Sequence, residues 1–229
     1  MNSRLKTQTM YLLAAIGLGL IASSSYMNIK AMVAQKLISS SWESGLSQQA
    51  ALKPWRWADT RPVARLVVPR LSKEVFVMQD DSGESLAFGP GHLSASSAIS
   101  EHGHVMISGH RDSHFSFLRY LKLGDDIETQ NIMGTTIRYR IISTRILDIE
   151  KDELIKQDNN QLSLITCYPF DDFIPGGPLR YIVDAIPIEN SQAEIASPIK
   201  TRLEDQTTTH LQPKHYLKMH ENTVTTAAL

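Results

Sequence analysis

Residues 135–149 read TTIRYRIISTRILDI, and from Thr135 to Ile142 apolar and polar side chains alternate. A period of two sends alternate residues to opposite faces of a strand, so the stretch predicts a strand with one buried face. With Thr144–Ile149 as its return arm, it resembles an antiparallel hairpin. Working outward, short β-like runs recur between glycine, proline or acidic turns: ARLVVP (64–69), EVFVM (74–78), SLAFG (85–89), HVMISG (104–109), DIETQ (126–130), QLSLITC (161–167) and RYIVDAIPI (180–188). Eight or nine such runs predict a closed barrel or a sandwich, in place of alternating strands and helices. HFSFLRYL (114–121) and KDELIKQ (151–157) are long enough for brief helices. No internal repeat interrupts this pattern.

The expected organisation has four parts: an N-terminal anchor over 1–29, a stalk over 30–61, a β-domain over 62–189 and a polar tail over 190–229. Of 229 residues, the β-domain takes roughly 130, the size of one compact module. Hydrophobic residues make up 42% and charged residues 21%, too apolar for wholesale disorder. The 23 basic and 24 acidic side chains nearly cancel, so no field draws the chain to nucleic acid, and none is expected as a partner. The tail's His210, His215 and His220 fall on no common helical face and lack a completing ligand cluster, so no metal is expected there.

Arg4 and Lys6 precede an uncharged stretch that opens with MYLLAAIGLGLIA (10–22). As a helix, Met10–Met27 would extend roughly 27 Å, just enough for a bilayer core. The basic residues favour a cytoplasmic N-terminus and export of the rest of the chain. A cleaved signal peptide is the competing reading, because Ala22, Ser23 and Ser24 supply small residues after the apolar run. The stalk, which includes SSSWESGLSQQAALKPWRWADTRP (39–62), carries Trp42, Trp55 and Trp57, placed either at a membrane surface or on the domain's flank.

The chain has one cysteine, which excludes an internal disulfide. A lone thiol in an oxidising compartment is exposed to damage, so chemistry is a better reason for it than packing. Cys167 ends the apolar run QLSLITC and meets Tyr168 and Pro169 at once, a strand end that is held rigidly yet reachable. A thiol nucleophile needs an imidazole, and His92, His102, His104, His110 and His114 are the upstream choices. Of these His110 stands at the exit of HVMISG, behind Gly109, which permits a tight turn and close approach. Acyl transfer also needs donors for the oxyanion. Arg180 opens the run after the loop YPFDDFIPGGPL, with a salt bridge to Asp171 or Asp172 as its alternative role. A zinc site is disfavoured, since neither C-x-x-C nor H-x-x-x-H spacing occurs around the thiol.

Together SGHRDSHF (108–115), LITCYPF (164–170) and GGPLRYIV (176–183) resemble the sortases, membrane-anchored cysteine transpeptidases, and in particular the Gram-negative group called class GN. The likeness runs over about residues 54–188, including KPWRWADTRPVARLVVPRL and LAFGPGH. The family signature at the nucleophile, T-L-x-T-C, here reads Ser163-Leu164-Ile165-Thr166-Cys167, with serine retaining the hydroxyl of threonine. The resemblance implies an eight-stranded β-barrel behind one transmembrane helix, with Cys167 as nucleophile, His110 as acid and base, and Arg180 steadying substrate and oxyanion. Asp112, Ser108 and Thr166 are expected to line or support the site; Asp112 is alternatively a turn residue capping the next helix. The implied partners are a protein with a C-terminal sorting signal of the L-P-x-T-G kind, an amine acceptor and the inner membrane. The implied location is the inner membrane, with the catalytic domain in the periplasm. No cofactor is implied. An exported cysteine peptidase that passes the acyl group to water uses the same residues, and a catalytically idle tethered β-module is the rival from another class.

Overall fold

The computed structural model describes residues 3–172 and 176–188. Its elements are α1 (Ser3–Gln48), β1 (Pro62–Val68), β2 (Lys73–Met78), α2 (Gly83–Phe88), β3 (Gly91–His92), β4 (His104–Ser108), β5 (Asp126–Asn131), β6 (Thr136–Asp148), β7 (Gln161–Cys167) and β8 (Leu179–Pro187). The strands close into a barrel in the order β1-β2-β3-β4-β7-β8-β6-β5, as expected from the spacing of the runs. Closure leaves no unpaired sheet edge, and eight strands enclose a space that side chains just fill. Ala64, Leu66, Val68, Val105, Ile107, Ile127, Tyr139, Leu162, Leu164 and Val183 belong to this interior. The alternation in β1 shows the cause, since every second residue from Pro62 to Val68 is buried.

Three local expectations change. The stretch 136–148 is one strand and not a hairpin, pairing with β8 from Tyr139↔Pro187 to Asp148↔Leu179. Ser143-Thr144 offers none of the residues that accept a primed turn, and a bulge between Ile141 and Ser143 absorbs the break in alternation. SLAFG lies largely in α2, where Ser82 caps the helix by accepting from the Ser85 amide. Four apolar-leaning residues fit one helical turn as well as a strand, and β2 already has β1 and β3 as neighbours. KDELIKQ forms turns and extended chain, whereas HFSFLRYL contains the expected brief helix at Ser116–Tyr120, of the 3-10 type.

At the N-terminus a single helix runs from the expected anchor into the first part of the expected stalk. α1 continues to Gln48, and its last turns pack on the barrel: Ile38 and Trp42 are buried, and the Trp42 ring lies 6.1 Å from that of Phe76. Trp55 stacks edge-on to Phe88 at 5.0 Å, so these two indoles lie on the flank, while Trp57 is exposed. Among the described residues, no helix is long and apolar enough to cross a membrane, so the expected transmembrane helix is not supported. The strongly apolar run MYLLAAIGLGLIA has 13 residues, about 20 Å of helix, which falls short of a hydrocarbon core of about 30 Å. The tail from residue 190, with His210, His215 and His220, and residues 173–175 of the loop after the cysteine lie outside the described residues.

Candidate active site

The register of three adjacent strands determines what stands beside Cys167. β4 runs parallel to β7, with Met106 opposite Ser163 and Ser108 opposite Ile165. The Gly109 amide donates to the Ile165 carbonyl at 3.0 Å, and Thr166 Oγ1 donates to the Gly109 carbonyl at 2.7 Å. Past the last register pair, Ser108↔Ile165, β4 continues through Gly109 to His110 and β7 through Thr166 to Cys167, so both residues stand at the same end of the barrel. On the other side β8 runs antiparallel, and Arg180 is the direct partner of Cys167. Two strand exits and one strand entry thus meet at one end of the barrel.

Parity assigns the face. Leu162, Leu164 and Thr166 alternate with Ser163, Ile165 and Cys167; the two leucines belong to the interior cluster, so Cys167 lies on the outer surface of the sheet. Met106, Ile165 and Ile182 form a second apolar cluster there, partly covered by Leu93, Leu147 and Leu154. Cys167 itself is a half-buried free thiol, and His110 is exposed. An accessible sulfur and an accessible imidazole at one barrel end are the groups that nucleophilic catalysis requires.

Gly109 matters through close approach. A Cβ there would sit 2.8 Å from the Phe115 ring, and the Phe115 amide donates back to the His110 carbonyl at 3.1 Å. The chain therefore folds tightly behind His110, and the buried Phe115 anchors it. His114, half-buried, has its pKa pushed down by burial first, with a hydrogen bond to the Ala87 backbone opposing and the nearby charge of His110 adding to the depression.

The supporting residues take unequal places. Thr166 is buried and spends its hydroxyl on the Gly109 carbonyl, tying the two strand ends together. Ser108 is half-buried on β4, between Gly91 and Ile165 in the register. Asp112 is engaged by the neighbouring guanidinium: Arg111 Nε donates to its Oδ1 at 2.8 Å and Arg111 Nη2 to its Oδ2 at 3.1 Å. That contact holds the Asp112 carboxyl below the usual range. Arg180, half-buried, donates through Nη1 to the carbonyls of Gly177 at 2.7 Å and Leu179 at 3.0 Å. Asp171 pairs instead with Arg119 at 2.9 Å.

Arg111 is the residue that sequence reasoning passed over. It is almost fully buried and donates to the Pro169 carbonyl at 2.6 Å and the Asp172 carbonyl at 2.7 Å, on the loop directly after Cys167. Arg119 takes the intervening Phe170 carbonyl at 2.7 Å and lies 4.9 Å above the Phe170 ring. Tyr168, Phe170 and Tyr181 pack together under this loop. The available signal was the placement of Arg111 directly after His110 in a tight turn. Among the described residues no cluster of three or more His, Cys, Asp or Glu is arranged to hold a metal.

Comparison with known proteins bears on the family and the fold. Sortase D of Bacillus subtilis is 31% identical over 120 residues, 52% of this chain and 60% of that protein. Sortase A from Corynebacterium diphtheriae superposes with a TM-score of 0.50 at 25% identity, over 58% of this chain and 63% of that one. This chain therefore spans less than two thirds of the length of both. A sortase D5 transpeptidase from Clostridium perfringens shares the fold at a TM-score of 0.55 and 18% identity, covering 69% of this chain and 99% of that one. The sortase domain model matches residues 66–188, more than half of the chain, a span that holds His110, Cys167 and Arg180, and the chain accordingly belongs to the sortase family.

Proposed function

We propose that this protein is a cysteine transpeptidase of the class GN kind, which cuts a C-terminal sorting signal and transfers the new acyl end to an amine. The observation that carries the reading is the meeting of three chain segments at one barrel end, with Arg180 opposite Cys167 and His110 just past the exit of the neighbouring β4. In the first step the Cys167 thiolate attacks the scissile carbonyl of a peptide of the L-P-x-T-G kind. The tetrahedral adduct collapses to a thioester as the C–N bond breaks, and His110 gives its proton to the departing amine. In the second step His110 removes a proton from the incoming amine, which attacks the thioester and restores the thiolate.

Arg180 serves the oxyanion in both steps, its planar fork giving directed donors that a lysine lacks. Its Nη1 lies on the Gly177 and Leu179 carbonyls, which hold the fork at the start of β8. Ser108 and Thr166 support the two strand ends. The same reading puts the domain outside the cytoplasm, in the periplasm, because Arg4 and Lys6 precede an apolar run of the length that an export signal uses.

The test is incubation of the purified chain with a sorting-motif peptide and an added amine. An amide product and a trapped thioester on Cys167 are expected. Free acid as the sole product would replace transfer by hydrolysis, and an intact peptide would remove both.

A further inference from the structure

The first two arginines after His110, Arg111 and Arg119, both reach the loop after Cys167. Between them Arg111 and Arg119 take the carbonyls of Pro169, Phe170 and Asp172. Arg119 is the exposed member and pairs with the exposed Asp171. Arg111 differs because its side chain is only 5% exposed, whereas that of its partner Asp112 is 73% exposed. Water therefore screens the carboxylate far better than the guanidinium, and the pair is not neutral seen from the protein side. Arg111 is also the member of the pair that bonds the loop directly after Cys167.

We propose that Arg111, outside the His110–Cys167–Arg180 set, is a positioning residue for the nucleophile: it locks the turn after Cys167 and supplies a fixed positive charge that favours the thiolate. The proposal rests on the reading of Cys167 as the nucleophile. Its mechanical half comes from geometry, since one fork spans carbonyls three residues apart, which a lysine's point charge does not reproduce. Its electrostatic half comes from burial. In support, Arg111 is held above the ordinary arginine value, first by its bonds to Asp112, with the negative charges of Asp112, Cys167 and Asp172 contributing and burial opposing. The charged and titratable groups on the elements around Cys167 are His110 beyond β4, Arg180 and Tyr181 on β8, Tyr168, Asp171 and Asp172 on its own loop, and Arg111, Asp112 and Arg119 on the segment after His110.

The experiment is the pH profile of Cys167 alkylation by iodoacetamide in the full chain, with thermal unfolding as the check on folding. Arg111→Gln is expected to slow alkylation at neutral pH roughly tenfold and move its profile to higher pH, the size one nearby charge produces at an effective dielectric near 20. Asp112→Asn, an exposed change that leaves the fold intact, is expected to move the profile to lower pH. Arg111→Lys should keep the profile close to that of the parent while lowering peptide turnover. A purely mechanical clamp predicts the same direction for Arg111→Gln and Asp112→Asn, because both loosen the loop; that result, or an unmoved profile in both, overturns the proposal. Alkylation needs no substrate, so shifted profiles in a protein that leaves sorting peptides intact would sink the transpeptidase reading and retain the role of Arg111.

Discussion

The outer surface of β4, β7 and β8 carries two groups of similar residues at its two ends. One is His110, Cys167 and Arg180. The other is His104, Ser163 and Asp184, which has the residue types of a serine hydrolase triad. His104 is fully buried, and its Nδ1 accepts from the Gln157 amide at 2.9 Å, which leaves the ring proton on Nε2, donated to Ser163 Oγ at 2.8 Å. Ser163 in turn donates to Asp184 Oδ1 at 2.5 Å, and Asp184 also accepts from Gln161, Ser143 and Arg145. Each named proton in that chain has an acceptor, and no substrate can enter. At the other end the imidazole is exposed and the thiol half-buried. Residue types do not make a site; unspent hydrogen-bonding capacity at an accessible strand end does.

The sharpest test of that contrast exchanges one atom at each end. Cys167→Ala should lower peptide turnover about 10⁴-fold or more, while Ser163→Ala should leave turnover within about threefold. The serine change instead costs about 1–3 kcal/mol in denaturant unfolding, because it strands a buried imidazole N–H and takes one of the donors from the Asp184 carboxylate. Comparable turnover losses in the two variants would erase the distinction. Next in size, Arg180→Lys keeps the charge but loses the fork, and kcat/KM should drop about 100-fold. A lysine variant near parental activity would remove the geometric role of Arg180.

Gly109→Ala brings a carbon to 2.8 Å from the Phe115 ring, an overpacking worth about 1–3 kcal/mol. Since His110 is the next residue, turnover measured well below the unfolding temperature should fall too, and loss of stability alone would show that the turn does not aim the imidazole.

The smallest effect is on pH dependence. The pKa of His104 is pushed down from its ordinary value near 6.5, by burial first, with Asp184 opposing and Arg145 and Lys156 adding. A histidine kept neutral in the fold contributes stability that is complete above that ordinary value. As the pH falls through it the unfolded chain binds the proton first, and stability declines by at most about 1.4 kcal/mol per pH unit. Unfolding between pH 7 and 5 should show this slope, and His104→Gln should flatten it; an unchanged slope would assign it to His114, which is also depressed.

Much of this architecture is legible in the sequence. Alternation along ARLVVP, TTIRYRII and QLSLITC marks the two faces of each strand, because a strand's side chains alternate whatever its neighbours are. QLSLITC and RYIVDAIPI, bounded by turn residues, place Cys167 and Arg180 at strand ends. The signature at Ser163–Cys167 also shows that position 163 carries a hydroxyl, though not that the hydroxyl bridges His104 and Asp184.

What tertiary structure alone decided is everything that depends on which segment lies beside which. Local pattern could not tell a hairpin from the single strand 136–148, since the answer lies in the unbroken partnership with β8. It could not tell a stalk from a helix whose last turns bury Ile38 and Trp42, because the covering surface is supplied by β2, far along the chain. Nor could it choose among five histidines: His104 and His110 are six positions apart on one chain segment, and only their surroundings make one inert and the other available. The reason is physical. Strand formation is governed by neighbours in sequence, whereas burial, hydrogen-bond satisfaction and the field at a thiol are governed by neighbours in space.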